Sequence, residues 1–333
     1  DWSSMSGITM RALEQAVRDK ARELLASGQV RQVLGYQTGS VPFRTAPAFI
    51  QAPEDVDRLV WNPFCTNNLA VYLPAAVRAG GRVAVVAKGC DARSIVTLIQ
   101  EHQVPRERVV ILGVPCTGMA ETTRLAGADG SLHGIAVTWD GDGTLGLSDA
   151  DGARSVTVQD VLQERCRLCE HNTPALADEM LGEAAPPMPG AAEPFAAVQA
   201  LANRPVEERR AYWRAQVERC IRCYACRAAC PACYCRTCFM DKAAPRWASK
   251  ANTADESWMF HAGRAFHLAG RCVECGECER VCPMGIPISA LNRMLDREVR
   301  ERFGYRAGLD PESVPPLGTF RPEDPDPGGA EER

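Results

Sequence analysis

Residues 82–116 read RVAVVAKGCDARSIVTLIQEHQVPRERVVILGVPC. After Arg82 the run to Ala87 is continuously apolar and of strand length. Asp91 can cap a helix through about Gln103, and Pro105 breaks it. Val109–Val114 is a second apolar run. Two such strands joined by a helix make a βαβ unit, whose strands lie parallel and are buried on both faces. Cys90 lies three residues past the first strand and Cys116 two past the second. Parallel strands bring both to the carboxyl edge of the sheet, where open α/β sheets build their sites.

Upstream, 69–79 reads as a helix that stops at Gly80-Gly81. Residues 10–27 form another, with Leu13, Val17, Leu24 and Leu25 near one face, Thr9 able to cap it and Gly28 to end it. Val30–Tyr36 is a short apolar strand. Downstream, 127–152 is rich in Asp-Gly pairs: Asp129-Gly130, Asp140-Gly141, Asp142-Gly143 and Asp151-Gly152. A calcium loop at Asp140-x-Asp142-x-Thr144 lacks Gly at the sixth position and a closing Glu. Hairpin turns fit the pattern better. Residues 182–205 are Ala/Pro-rich and read as a linker. A cysteine-rich domain spans 206–305, and 306–333 reads as an extended acidic tail.

The chain has 333 residues, enough for two domains. Its net charge is −4 and its pI is near 5.9, which excludes a strongly basic nucleic-acid binder. No run approaches a membrane span, and no secretory signal opens the chain. It begins at Asp1 rather than Met, which leaves room for residues before it.

Sixteen cysteines are the unusual feature: five between Cys65 and Cys169, eleven between Cys220 and Cys282. Thiols clustered in this way hold metal in the reducing cytoplasm, whereas a secreted disulfide scaffold would be shorter and more evenly stapled. The expected location is therefore cytoplasmic. Cys220-x-x-Cys223-x-x-Cys226-x-x-x-Cys230-Pro231 recurs as Cys272-x-x-Cys275-x-x-Cys278-x-x-x-Cys282-Pro283. This is the bacterial-type [4Fe–4S] run, in which the fourth cysteine ligates the other cluster. One cluster is expected on Cys220, Cys223, Cys226 and Cys282, and another on Cys272, Cys275, Cys278 and Cys230. Zinc uses CxxC pairs and does not need two complete runs.

The insertion 231–271 adds Cys233, Cys235 and Cys238. With Cys65 they form an extra candidate ligand set, although three close thiols alone do not make a four-coordinate site. Reduced, partly buried thiols are the preferred reading. Cys166-x-x-Cys169 is a half-site, and Cys90 and Cys116 are available to complete it; a thioredoxin-type dithiol is the alternative. The five histidines, His171, His261 and His267 among them, read as surface or satisfied core residues. Gly35-Tyr-Gln-Thr-Gly39 is too weak for a phosphate loop, and no Walker or GxGxxG fingerprint occurs.

Four segments in order, Phe64-Cys-Thr-Asn-Asn-Leu, Val85-Val-Ala-Lys-Gly-Cys90-Asp, Leu112-Gly-Val-Pro-Cys116 and Cys166-Arg-Leu-Cys169 with Leu176-Ala-Asp178, resemble the coenzyme F420 hydrogenase/dehydrogenase beta-subunit family over about residues 55–182. The resemblance implies a third [4Fe–4S] cluster on Cys90, Cys116, Cys166 and Cys169. That family opens with a Gly-Gly-x-x-Thr stretch that helps hold FAD; here Ser27–Leu34 has no such stretch. Where the family has Pro before its first cysteine stands Gly89, and where it has Asp after CxxC stands His171. FAD is expected to be absent or weakly held, and no FAD-binding residues are assigned.

The expected architecture is an α/β domain with a small, partly parallel sheet, plus a C-terminal α+β dicluster ferredoxin-like domain. A helix occupies 1–27, the α/β domain with one cluster 28–181, the linker 182–205 and the ferredoxin domain 206–305. No acid–base or nucleophile constellation is visible, so no catalytic residue is assigned. The leading reading is an electron-transfer subunit of a hydrogenase, formate dehydrogenase or heterodisulfide-reductase-like complex, relaying single electrons through three [4Fe–4S] clusters. Its partners would be other redox subunits or a soluble ferredoxin. A flavoenzyme oxidising or reducing coenzyme F420 or a nicotinamide is the alternative. A zinc-stabilised interaction module is the third.

Overall fold

A computed structural model of the chain describes residues 9–41, 43–127, 132–140 and 143–319. Helix α1 (Met10–Ala26) opens under Thr9, whose hydroxyl accepts from the amide of Ala12 at 3.2 Å. It buries Leu13, Val17, Ala21, Leu24 and Leu25 against the sheet, and Gly28 ends it at φ +68°. Strands β1 (Gln32–Thr38) and β2 (Thr45–Ile50) form an antiparallel edge pair. A 3-10 turn over Leu69–Tyr72 runs into α2 (Leu73–Arg78), and Gly80 and Gly81 reverse the chain in the left-handed region.

The stretch 82–116 forms β3 (Val83–Ala87), α3 (Gly89–Gln100) and β4 (Val109–Gly113). Every residue of both strands is buried, as a parallel sheet covered on both faces requires. β3 pairs in parallel with β1 and with β4, in the register Ala87↔Gly113. Helix α3 starts two residues before Asp91. Asp91 therefore sits in the first turn and its carboxylate accepts from the amide of Lys88 at 3.0 Å. Cys90 is thereby a helical residue at the N-terminus of α3.

The Asp-Gly region builds a second, antiparallel sheet of β5 (Ala136–Trp139), β6 (Thr144–Asp149) and β7 (Gly152–Thr157). Gly152 turns the β6–β7 hairpin at φ +138°. Asp129-Gly130, Gly141 and Asp142 lie outside the described residues. A short helix α4 (Glu164–Arg167) carries Cys166, and β8 (Glu179–Met180) completes the main sheet in the order β2-β1-β3-β4-β8.

The segment read as a linker contains α5 (Ala196–Ala202), which packs on the last helix. Then follow α6 (Val206–Glu218), α7 (Ala225–Ala228), α8 (Ala254–His267), α9 (Glu277–Arg280) and α10 (Ile288–Phe303). The expected α+β character of this region is not observed: among the described residues, 206–305 contains helices and loops and no strand. The reason is local. Each cysteine loop takes positive φ at its third and fifth residues: Arg222 and Tyr224 (50° and 59°), and Glu274 and Gly276 (59° and 68°). A backbone that alternates through the left-handed region cannot form a strand ladder. Instead each loop winds into one helical turn, α7 or α9.

Residues 306–319 do not extend into solvent. They run back across α3, where Gln100 Nε2 donates to the carbonyls of Asp310 and Ser313, both at 2.8 Å. Buried Arg93 donates from Nε to the Ala307 carbonyl at 3.0 Å and from a terminal nitrogen to the Val273 carbonyl at 3.2 Å. Helix α3 is thus covered by the sheet on one side and by the cysteine-rich region on the other. The segment 320–333 lies outside the described residues.

Candidate metal centres

The sheet edge gathers the first set. Cys90 opens α3, and Cys116 follows β4, with its amide donating to the Asn172 carbonyl at 2.9 Å. Cys166 and Cys169 return from α4. All four line one cavity of about 470 Å³. The amide of Gly118 donates to the Cys116 sulfur and that of Met119 to the Cys166 sulfur, both at 3.4 Å. Burial pushes Cys90 up to about 12 and Cys169 up to about 11. Burial also pushes Cys116 up strongly, with Cys166 and Cys90 as charged neighbours. Such thiols stay protonated unless a metal offsets the cost of the buried thiolate.

Gly89 explains how the returning segment comes so near. A Cβ at this position would overlap the His171 carbonyl and crowd Asn172. The two positions that depart from the family pattern therefore touch each other: Gly89 yields the space that the backbone of His171 fills.

Two buried cations flank this set, and neither was singled out from the sequence. Lys88 Nζ pairs with Asp91 at 2.8 Å, donates to the Asn67 carbonyl at 3.0 Å and bonds the Tyr36 hydroxyl. Arg165 bonds the Cys275 carbonyl, the Thr66 carbonyl at 3.0 Å and Glu277 at 3.0 Å. A lysine at the end of an apolar strand was the available signal for the first; Arg165 gave none beyond its place beside Cys166.

The repeated motifs exchange their last cysteines in space. A small pocket is lined by Cys220, Cys223, Cys226 and Cys282, closed by Tyr224, Phe260 and Ile286. Cys220 accepts from the Arg222 amide at 3.4 Å and Cys282 from the Ile286 amide at 3.5 Å. In the other motif Cys272 accepts from the Glu274 amide at 3.4 Å. Cys230 is an electrostatic neighbour of Cys272, Cys275 and Cys278, all three pushed up by burial. His261 departs from the expectation of a surface or satisfied core residue. It lies buried with Nε2 3.3 Å from the Cys220 sulfur.

The remaining thiols are scattered. Cys65 is buried in the α/β core, where its sulfur lies 3.7 Å from the Val60 carbonyl and accepts from the Asn62 amide at 3.4 Å. Cys233 hydrogen-bonds Cys230, and that bond draws Cys230 down to about 6. Cys238 lies beside Arg227, and Cys235 is exposed. Among the described residues, no three His, Cys, Asp or Glu side chains close around a point suited to a single metal ion.

The chain carries two domains shared with known proteins. Residues 80–200 match the coenzyme F420 hydrogenase/dehydrogenase family described by the C terminus of its beta subunit. Residues 216–286 match the 4Fe-4S dicluster domain. The chain is 23% identical to the F420-dependent formate dehydrogenase subunit beta of Methanocaldococcus jannaschii, covering 94% of this chain and 96% of that protein. It is 25% identical to the F420-dependent formate dehydrogenase 1 subunit beta of Methanococcus maripaludis, covering 91% and 92%. A chain of the F420-reducing [NiFe] hydrogenase complex from Methanosarcina barkeri is 18% identical and aligns with a TM-score of 0.38, over 52% of this chain and 66% of that one.

Proposed function

We propose that this chain is an iron–sulfur electron-transfer subunit of an F420-dependent formate dehydrogenase- or hydrogenase-like complex, built to hold three [4Fe–4S] clusters. The observation that carries the reading is the pairing of the dicluster domain with a third thiol set: Cys90, Cys116, Cys166 and Cys169 share a cavity that Cys275 also lines. The donor chemistry fits, since each set offers four thiols and amides aimed at sulfur. When bound, such clusters take up and release single electrons at potentials set by their surroundings.

The chain's own residues supply the rest. Thiolates ligate; the Gly118, Met119, Arg222, Glu274 and Ile286 amides donate to sulfur and stabilise its negative charge. Burial of most of these thiols excludes water, and α10 and residues 306–319 hold the cysteine-rich region against α3. No helix among the described residues is long and apolar enough to cross a membrane. The partners that suit this reading are other redox subunits, as the names of the relatives indicate.

The test is anaerobic purification from the native source with iron and labile-sulfide analysis. Three clusters require about 12 irons per chain, and about eight would remove the cluster at the sheet edge. Co-purifying subunits would identify the donor and acceptor.

The relatives' names favour a second reading, in which FAD splits a hydride from reduced F420 into single electrons. Residues 27–34 form no small-residue cradle: Gly28 ends α1 facing open space, and Val33 and Leu34 are buried in protein. Stoichiometric flavin in the native protein, with rapid reduction by F420H2, would establish this second reading.

A further inference from the structure

We infer that Arg165 is a positioning residue that fixes the sheet-edge thiol set against the second cysteine motif and raises the reduction potentials of the two clusters held there. This inference rests on the three-cluster reading above. Arg165 immediately precedes Cys166 on α4, yet its guanidinium leaves that element and bonds the carbonyl of Cys275. It is one peptide bond from a ligand of one set and one hydrogen bond from a ligand of the other. Nε donates to Gln163 Oε1 at 2.6 Å and a terminal nitrogen to the Thr66 carbonyl at 3.0 Å, so the group is anchored from several directions. Its side chain is 12% exposed and lines the same cavity as Cys90, Cys166 and Cys275.

The approach depends on Gly276. That residue is left-handed at φ +68°, and a Cβ there would overlap the Arg165 side chain. A side chain at 276 would push the guanidinium away from the Cys275 loop.

The charge balance sets the sign. Glu277 is 3% exposed and pairs with Arg165 at 3.0 Å and with Arg280 at 2.7 Å. Two guanidiniums and one carboxylate leave one positive charge between the sets. Arginine keeps its proton, so this charge is permanent. Lys88, the other buried cation, is matched by Asp91 at 2.8 Å and contributes less net field. A positive charge in a poorly screened site favours an added electron on either side of it.

The test is potentiometric EPR titration of the anaerobically purified full-length chain and of its R165Q, R165K and E277Q variants, each with iron analysis. R165Q should lower the midpoint potentials of the clusters on the Cys90 and Cys272 sets and leave that of the Cys220 set in place. E277Q should raise the same two, and R165K should fall between R165Q and the unsubstituted chain. A purely structural role would not produce opposite signs. Full iron content with unmoved potentials in R165Q, or shifts of the same sign in R165Q and E277Q, would overturn the inference alone. If R165Q loses iron, E277Q decides: an upward shift supports the inference and no shift overturns it. About eight irons in the unsubstituted chain would overturn the three-cluster reading and the inference with it.

Discussion

The carbonyl of His171 occupies the space that a side chain on Gly89 would need. Gly89 starts the helix that carries Cys90, and His171 follows Cys169, so the contact sets how closely the two cysteine pairs approach. Backbone cannot rotate away as a side chain can. Gly89→Ala should therefore cost roughly 1–3 kcal/mol, the usual range for overpacking a filled site. It should also lower the iron content by one cluster and leave the EPR signals of the dicluster region unchanged. Denaturant unfolding and iron analysis on one preparation check both. Full iron with unchanged stability would show that the segment after Cys169 yields.

Asp296 gives a pH dependence with a defined sign. It is buried on α10, 2.8 Å from Arg300 Nε, and shares a proton with Glu274. Burial, and next Glu274, push it up to about 8. Between its ordinary range and that value, the folded chain binds a proton that the unfolded chain has lost. Stability is then greatest at low pH and declines as pH rises through about 4 to 8. Asp296→Asn, a mimic of the protonated form, should flatten this part of the stability profile. Parallel slopes for the two proteins in urea titrations at pH 5, 6, 7 and 8 would refute it.

The βαβ unit and both ferredoxin motifs were legible in the sequence because their signals are local. Apolar runs of strand length mark β3 and β4, and cysteine spacing marks the loops. The sheet edge was legible one step further, since parallel pairing places Cys90 and Cys116 together wherever the helix between them lies. What stayed hidden depends on distant segments. Tyr36, Lys88 and Asp91 come from a strand, a strand end and a helix, and only folding shows that the lysine is paired and buried. The tail after Gly308 reads as acidic and extended, yet 306–319 docks through its backbone carbonyls, which composition does not register. The missing strands of the cysteine-rich region have a similar cause: non-glycine residues such as Arg222 and Glu274 hold left-handed backbone that propensity does not anticipate.

Arg93 holds that tail and the second motif to α3. Arg93→Ala would strip partners from the buried-side carbonyls of Ala307 and Val273. An unsatisfied buried acceptor costs about 1–3 kcal/mol, so a clear loss of stability is expected. Cleavage within 305–319 under limited proteolysis should also accelerate. Arg93→Lys keeps the charge but not the two-directional fork, and should fall between the two. Equal proteolysis of all three proteins would show that the tail is held by other contacts.

The exchange of fourth cysteines between the motifs can be tested with Cys282. It follows the second motif in sequence but shares a pocket with Cys220, Cys223 and Cys226. Its sulfur accepts from the Ile286 amide at 3.5 Å, on the loop that leads into α10. Cys230 stands reciprocally among Cys272, Cys275 and Cys278. Cys282→Ala should therefore remove or convert the cluster of the first motif and leave the second motif's EPR signal and midpoint potential intact. Cys230→Ala should do the reverse. Each variant removes one thiol from the same domain, so general damage to folding would affect both signals in both proteins. Loss of the second-motif signal in Cys282→Ala, with the first preserved, would show that each run closes its own cluster.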